Sequence, residues 1–196
     1  MPLWGATDSD ESKPKFLTDE QKKLVYATKS GWVLENGALT GNDNANADPE
    51  ILVAIGELAT SIGSADITEI EFISTAFDVS AGGTIQVRAR FNEEVDVDTS
   101  GGVPFLAITN GNQGTGSGRG PHNAPYSSGT GTNELVFAIT IGAAAGSIAA
   151  DDVLVVGANA INLNSGTIKD AGTSTNSTIT NVASIGTAAG TITVVA

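Results

Sequence analysis

The acidic run from Glu93 to Gly101 is the segment whose residue types come closest to a chemical site. Asp96 and Asp98 are spaced like the first ligands of a helix-loop-helix calcium site, but the position that must supply a bidentate carboxylate is Ala107, which has none. The run is therefore more typical of a strand, with Val95 and Val97 facing the core and Glu94, Asp96 and Asp98 in solvent. Binding of Ca²⁺ by loop carboxylates near Asp96 and Asp98 is the alternative.

His122 is the only imidazole in the chain. A zinc site or a hydrolytic triad needs further ligands or a positioned base, and the sequence around His122 supplies neither. Pro121 and Pro125 predict a solvated loop at this point. The preceding run Gly111–Gly120 lacks both the Lys-Ser/Thr pair and the following helix of a phosphate-binding loop, so we interpret it as a flexible connection between strands.

The remaining residue types also argue against catalysis. The chain contains no Cys, and its two Trp, two Tyr and six Phe leave few aromatic side chains to line a sugar-binding cleft once a core is built. We therefore predict that the protein is not an enzyme and that it holds no catalytic residue, cofactor or metal.

Charge excludes two further classes of partner. Nine basic residues stand against 22 acidic ones, which gives a formal net charge of −13. Nucleic acids and anionic membranes are bound by basic patches, so neither is expected as a partner. No window approaches the roughly 18 apolar residues of a membrane span, and the polar start of the sequence does not have the pattern of a signal peptide.

Short β-branched runs separated by Gly, Asn, Ser and Thr dominate the chain after position 66 and predict an all-β sandwich or barrel. Thr84–Phe91 shows the clearest alternation, with apolar residues on one face and Gln86, Arg88 and Arg90 on the other. Strands are predicted at Ile67–Thr75, Thr84–Phe91, Val103–Thr109, Asn133–Ile141, Asp152–Val156, Ala160–Leu163, Ser177–Val182 and Gly190–Val195.

Residues 1–58 have a different character and predict a small module, joined by a linker at residues 59–65 to a sandwich at residues 66–196. Thr18 and Gln21 form a capping-box pattern that starts a short helix ending before Thr28. A hairpin follows at residues 25–35, and a third strand is predicted at residues 51–55.

Both Trp residues lie in this first module. Trp4 lies on a polar arm where an exposed indole is unfavourable, so it either docks on a partner or folds back onto this chain, and the enrichment of Trp at interfaces favours docking. The residues predicted to bind a partner are Trp4, Phe16, Leu17, Tyr26 and Trp32.

Residues 66–182 resemble the bacterial Ig-like β-sandwich modules of large surface and adhesin proteins. The matching blocks are GTIQV at residues 83–87, FNEEV at 91–95, SGTGTNELVF at 128–137 and GANAINLNSGTIKDA at 157–171. The last block is the most specific, although Gly172-Thr173-Ser174 replaces the Gly-Asn that follows it in the family. The resemblance implies an Ig-like sandwich, a fold that serves many functions.

Residues 1–58 resemble the amino-terminal segment of virion structural proteins from large tailed marine phages. The matching pieces are MPLWG at residues 1–5, KPKFLT at 13–18, VYAT at 25–28, GWVL at 31–34 and EILVAIG at 50–56.

Together the two resemblances imply a capsid decoration protein located on the virion surface. An N-terminal segment would bind the major capsid protein or another virion protein, and an Ig-like domain would be displayed outward. Two alternatives stay open: a tail or neck component of the virion, and an Ig-like adhesin or secreted surface module that binds glycan or Ca²⁺. A host-surface glycan is a further candidate partner of the displayed sandwich.

Overall fold

The structure, a computed structural model, describes residues 13–14, 16–35, 38, 49–60, 62–110 and 119–196. Two short helices and twelve strands are found in this part of the chain. In chain order the elements are α1 (Asp19–Lys23), β1 (Val25–Thr28), β2 (Gly31–Leu34), β3 (Glu50–Ala54), β4 (Ile67–Phe72), β5 (Phe77–Asp78), β6 (Gly83–Asp98), β7 (Phe105–Asn110), β8 (His122–Ser128), β9 (Thr132–Ile141), β10 (Val153–Asn162), β11 (Thr167–Asp170), α2 (Ala183–Ala188) and β12 (Thr191–Val195).

The described strands are joined in the order β3-β2-β1-β6-β9-β8-β7-β10-β12-β5, with β4 and β11 pairing with β6 beside this path. Strand β8 pairs with both β9 and β7, and so connects the two halves of the path. Inward-facing residues of the two halves, such as Val87 and Phe137 in one and Ile108 and Leu154 in the other, are fully buried in a single core. The predicted all-β sandwich is confirmed.

Strand β6 is the longest element and organises this core. Ile85, Val87 and Ala89 are fully buried, as the alternation predicts, and the strand continues past the predicted end at Phe91 as far as Asp98. On one edge β6 pairs with β4 and then with β11, and on the other it pairs with β9 from Gly83 to Arg90.

The register between β6 and β9 shifts after this stretch. Arg90 lies opposite Glu134, and the next pair is Val95 with Thr132. Residues 91–94 of β6 therefore face a single residue of β9, Asn133, and form a large bulge. Strand β1 meets β6 within this interval, through a parallel pair between Ala27 and Glu93.

The predicted helix and hairpin of the N-terminal module are also confirmed. Thr18 accepts a hydrogen bond from the amide of Gln21, and the Gln21 side chain accepts one from the amide of Thr18, so both halves of the capping box are present. β1 and β2 form an antiparallel hairpin that turns at Gly31, where φ is +133° and the backbone of β3 leaves no space for a Cβ.

Three strand predictions for the second half of the sandwich are corrected. Asp152–Val156 and Ala160–Leu163 belong to one irregular strand, β10, because Asn181 accepts a hydrogen bond from the amide of Ala160 and donates one to the carbonyl of Gly157 across the irregular segment. Ser177–Val182 is not a strand: Thr178 makes one isolated bridge to Asp66, and α2 begins at Ala183.

The predicted loop around His122 is also wrong, because β8 starts at this residue. Pro125 lies within β8, opposite Phe105 of β7, and neighbouring residues carry the pairing. The Gly111–Gly118 part of the predicted flexible connection lies outside the described residues.

Candidate functional site

The N-terminal module has a small core of its own. The fully or nearly fully buried residues of this core are Leu17, Val25, Ala27, Trp32, Leu34 and Leu58. Val25, Ala27, Trp32 and Leu34 lie on one face of the three-stranded sheet β1-β2-β3, because successive residues of a strand point to opposite faces, and Leu17 and Leu58 pack against that face. The other face carries Tyr26, Val33 and Ile51.

The five residues predicted to bind a partner differ sharply in exposure. Phe16 is 69% exposed, whereas Leu17 and Tyr26 are each 7% exposed and Trp32 only 1%. Leu17 and Trp32 lie in the core of the module and Tyr26 lies on its opposite face, so in this conformation none of the three side chains is exposed. Partner binding by these residues stays a prediction. Trp4 lies outside the described residues.

Sequence contained a signal for the burial of Trp32. It lies opposite Ala27 in the hairpin and alternates with Leu34, so all three residues belong to one apolar face. The hydrophobic effect would bury that face against the helix and linker of the module itself, even without a partner. The enrichment of Trp at interfaces was a weaker argument than this pattern.

Ile51 is a large exposed apolar residue of the module that sequence reasoning missed. Its side chain is 58% exposed, and it lies on β3, which ends the strand order. Within the described part of the chain no strand pairs with the outer edge of β3. An unpaired edge with exposed apolar side chains is a surface on which another chain can add a strand.

A groove of about 460 Å³ lies between this sheet face and the sandwich. Tyr26, Val33 and Ile51 contribute to it from the module, and Ala171 and Gly172 from the sandwich. Its lining is mixed, since Lys29 and Glu94 also border the groove.

The pKa values of two groups in the groove, Glu94 and Tyr26, are raised. Burial, followed by the charge of Asp96, raises the pKa of Glu94, while Lys29 opposes this shift. Burial and the charges of Glu94 and Glu35 raise the pKa of Tyr26 to about 12, so its phenol stays protonated at neutral pH.

The module is joined to the sandwich at the bulge between β6 and β9. Glu35, which follows β2, accepts a hydrogen bond from Asn133 Nδ2 at 2.8 Å and lies 3.5 Å from Arg90. Burial raises the pKa of Glu35, and Asn133 and Arg90 both oppose this shift. The predicted linker is fixed at its two ends, because Ala59 and Ala65 are buried. The predicted domain boundaries stay a prediction.

Arg90 is nearly buried within this joint, although sequence assigned it to a solvated face. Its guanidinium binds Glu69 from β4 at 2.7 Å and Glu134 from β9 at 2.6 Å. Arg88, two residues earlier, pairs with Glu71 and Glu134 in the same way. The outer face of the β4-β6-β9 layer is therefore covered by an ion-pair network that reaches Glu35 of the module.

Asp96 and Asp98, the acidic residues suggested as calcium ligands, share one exposed face of β6. Asp96 and Asp98 are exposed on β6, as the strand interpretation predicts, and Asp98 accepts a hydrogen bond from the amide of Ser100. Within residues that the structure describes, no group of three or more His, Asp or Glu side chains is arranged to hold a metal ion. Calcium binding in this region stays a prediction.

His122 is buried rather than solvated, and this corrects the sequence interpretation. It is 5% exposed, and its Nε2 atom is buried without a hydrogen-bond partner. Burial lowers the pKa of His122, while the charge of Asp152 opposes the shift. Asp152 itself is fully buried and accepts hydrogen bonds from the Ala149 amide and from Asn110 Nδ2, and it pairs with Arg119. These contacts tie β7 and β8 to the start of β10.

No known protein family, characterised protein or solved structure matches this chain. The resemblances to phage virion proteins and to bacterial Ig-like modules therefore stay predictions. Neither of the described helices is long or apolar enough to cross a membrane.

Proposed function

We propose that the chain is a non-enzymatic virion surface protein, a capsid decoration protein that binds the shell through its N-terminal module and displays its β-sandwich outward. The observation that carries the proposal is the contrast within the module. Its core residues are buried, yet it exposes Phe16 and Ile51, two of the largest apolar side chains at the surface of the described chain.

Exposed apolar side chains of this size support a docking role. Large residues that become buried at the centre of an interface contribute most of the binding free energy, commonly about 2 kcal/mol or more each. Ile51 lies on the free edge of β3 beside the groove, so a strand of the major capsid protein or of another virion protein would pair with the β3 backbone and cover Ile51. Phe16 would be a second contact, on the segment before α1.

The charge of the chain supports the same role. A net charge of −13 keeps the displayed sandwich soluble and disfavours binding to nucleic acid. The resemblance of residues 1–58 to phage virion proteins supports the choice of a capsid as the partner, and a tail or neck position is the nearest alternative.

The test uses point variants because a truncation would be ambiguous. Removal of residues 1–30 would delete Leu17, Val25 and Ala27 from the core of the module and unfold it. Phe16→Ser and Ile51→Ser change exposed side chains and leave that core intact. Val182→Ser and Val195→Ser are matched controls, since these valines are also exposed but lie at α2 and on β12.

Purified protein is mixed with particles of the encoding phage that were assembled without it, and bound protein is measured by co-sedimentation. We expect the wild type to bind, Phe16→Ser and Ile51→Ser each to lower the affinity about tenfold or more, and the controls to bind as wild type. Absence of wild-type binding, or equal losses in the control variants, would contradict the proposal. An electron-microscopy map of the particle then separates a capsid position from a tail or neck position.

A further inference from the structure

Glu93 is a fully buried carboxyl group that none of the features described so far explains. Its exposed fraction is 0%, and both Oε1 and Oε2 lack a hydrogen-bond partner. A buried carboxylate without partners is very unfavourable, whereas the protonated acid costs much less because it carries no charge.

The charged groups that act on Glu93 are both acidic. Asp170, at the end of β11, is itself fully buried, and its carboxylate accepts hydrogen bonds from the Gly172 amide at 2.6 Å and from Thr173 Oγ1 at 2.9 Å. Asp66 precedes β4 and also acts on Glu93 through its charge. From β1 the facing residue is Ala27, which carries no charge.

The position of Glu93 connects it to the joint of the module. Its pair with Ala27 is the one backbone pair through which the described residues of β1 join β6, and it lies in the bulge where β6 has lost its regular pairing with β9. Elsewhere β6 is held by continuous pairing from Gly83 to Arg90. A charge that appears on Glu93 therefore acts where β6 has no regular partner on the β9 side.

We propose that Glu93 is a pH-sensitive switch in the joint, which holds the N-terminal module against the sandwich while the carboxyl is protonated and loosens the joint when the proton is lost. The switch does not depend on what the module binds.

The direction of the effect follows from the environment. Burial, followed by the charges of Asp170 and Asp66, raises the pKa of Glu93 from 4.5 to about 8. A state in which the joint opens and hydrates Glu93 loses its proton more readily, so raising the pH favours the open state. The stabilising contribution is complete below pH 4.5, is lost progressively as the pH rises, and is absent above about pH 8.

Hydrogen exchange of individual amides measures this opening in the full chain. Exchange rates of β1 and β2 amides are compared at about pH 6 and about pH 8.5 after correction for intrinsic exchange, with β9 amides as an internal reference. In the wild type we expect the opening constant of β1 to rise by about tenfold or more over this interval, and that of β9 to change less. Equal changes in both strands would mean that the whole sandwich, rather than the joint, responds.

Glu93→Gln keeps the shape of the protonated acid and cannot ionise. In this variant most of the pH dependence of β1 should disappear, with a smaller part remaining from Glu35. Glu50→Gln, an exposed substitution on β3, is the matched control and should respond as wild type. A variant Glu93→Gln with unchanged pH dependence would overturn the proposal.

A direct titration keeps the proposal testable if Glu93→Gln folds poorly. The side-chain carboxyl carbon of Glu93, followed by NMR in the wild type, should titrate near pH 8, and a midpoint near 4.5 would refute the switch. The same amides are measured with added Ca²⁺. Slower opening of β1 in Ca²⁺ that is lost in Glu93→Gln would mean that Glu93 binds a cation, which also overturns the proposal.

Discussion

Asn133 donates a hydrogen bond from Nδ2 to Oε1 of Glu35 at 2.8 Å, although the two residues lie 98 positions apart in the sequence. Asn133 is the β9 residue that faces the bulge in β6, and Glu35 ends the hairpin of the module. The bulge thus provides the backbone edge, and the β9 residue opposite it provides the side-chain donor, by which the module is attached to the sandwich.

This bond predicts that Asn133→Ala destabilises the protein. Loss of the donor leaves the half-buried Glu35 carboxylate with its contact to Arg90 at 3.5 Å, and we expect a loss of about 1–3 kcal/mol in the free energy of unfolding, measured by urea denaturation. Asn123→Ala changes an exposed Asn of β8 and should stay within about 0.5 kcal/mol of wild type. If Asn133→Ala and Glu35→Ala prove additive in a double-mutant cycle, the two side chains do not interact as described.

The separate core of the module predicts a local effect of Trp32→Ala. Removing a fully buried indole should cost about 3–5 kcal/mol, and that loss should fall on the module while the sandwich keeps its structure. In amide NMR spectra, the signals of β1 and β2 should lose their chemical-shift dispersion, while the signals of β6 and β9 keep their positions.

The variant Trp32→Phe complements Trp32→Ala. The Nε1 atom of Trp32 is buried without a hydrogen-bond partner, so the smaller ring removes an unsatisfied donor while it leaves a modest cavity. We expect this variant to lose less than about half as much stability as Trp32→Ala. Loss of the sandwich signals in either variant would mean that the two cores do not unfold separately.

The burial of the His122 imidazole predicts that the folded protein loses stability as the pH falls. His122 has a pKa lowered from 6.5 by burial, so the unfolded chain binds the proton more readily than the folded chain does. Its contribution to stability is present above pH 6.5 and is lost as the pH falls below that value. Because the sequence has one His, a single imidazole signal follows the titration by NMR. A midpoint at or above 6.5 would contradict the prediction, because the effect of burial would then not exceed that of the Asp152 charge.

Much of the fold follows from local patterns in the sequence. The alternation of apolar and polar residues predicts β6 and β9, the capping box predicts α1, and Gly31 predicts the hairpin turn. These elements are predictable because each is determined by residues that are close in sequence. Strand β8 was missed because the two prolines argue for a loop, whereas pairing with β7 and β9 overrides that local preference. The short helix α2 has no side-chain cap at Val182 and depends on packing against β10 and β4.

The candidate site was less accessible to the same reasoning. The alternation that turns Val95 inward also turns Glu93 inward, so its burial was readable from the strand pattern. The neighbours of Glu93, however, come from β1, β11 and the segment before β4, and no local pattern brings these together. The pair between Arg90 and Glu35 is not local either. It forms only in the folded chain, where the register shift between β6 and β9 makes room for the hairpin.

The uneven anchoring of β6 has a mechanical consequence. Apart from the connecting chain at residues 59–65, the strand pairing that holds the module to the sandwich is a single backbone pair, supported by side-chain contacts such as that of Glu35, whereas β6 is bonded to β9 along the whole stretch from Gly83 to Arg90. Under tension the joint therefore opens first, and the sandwich stays folded while the connecting chain keeps the module tethered to it.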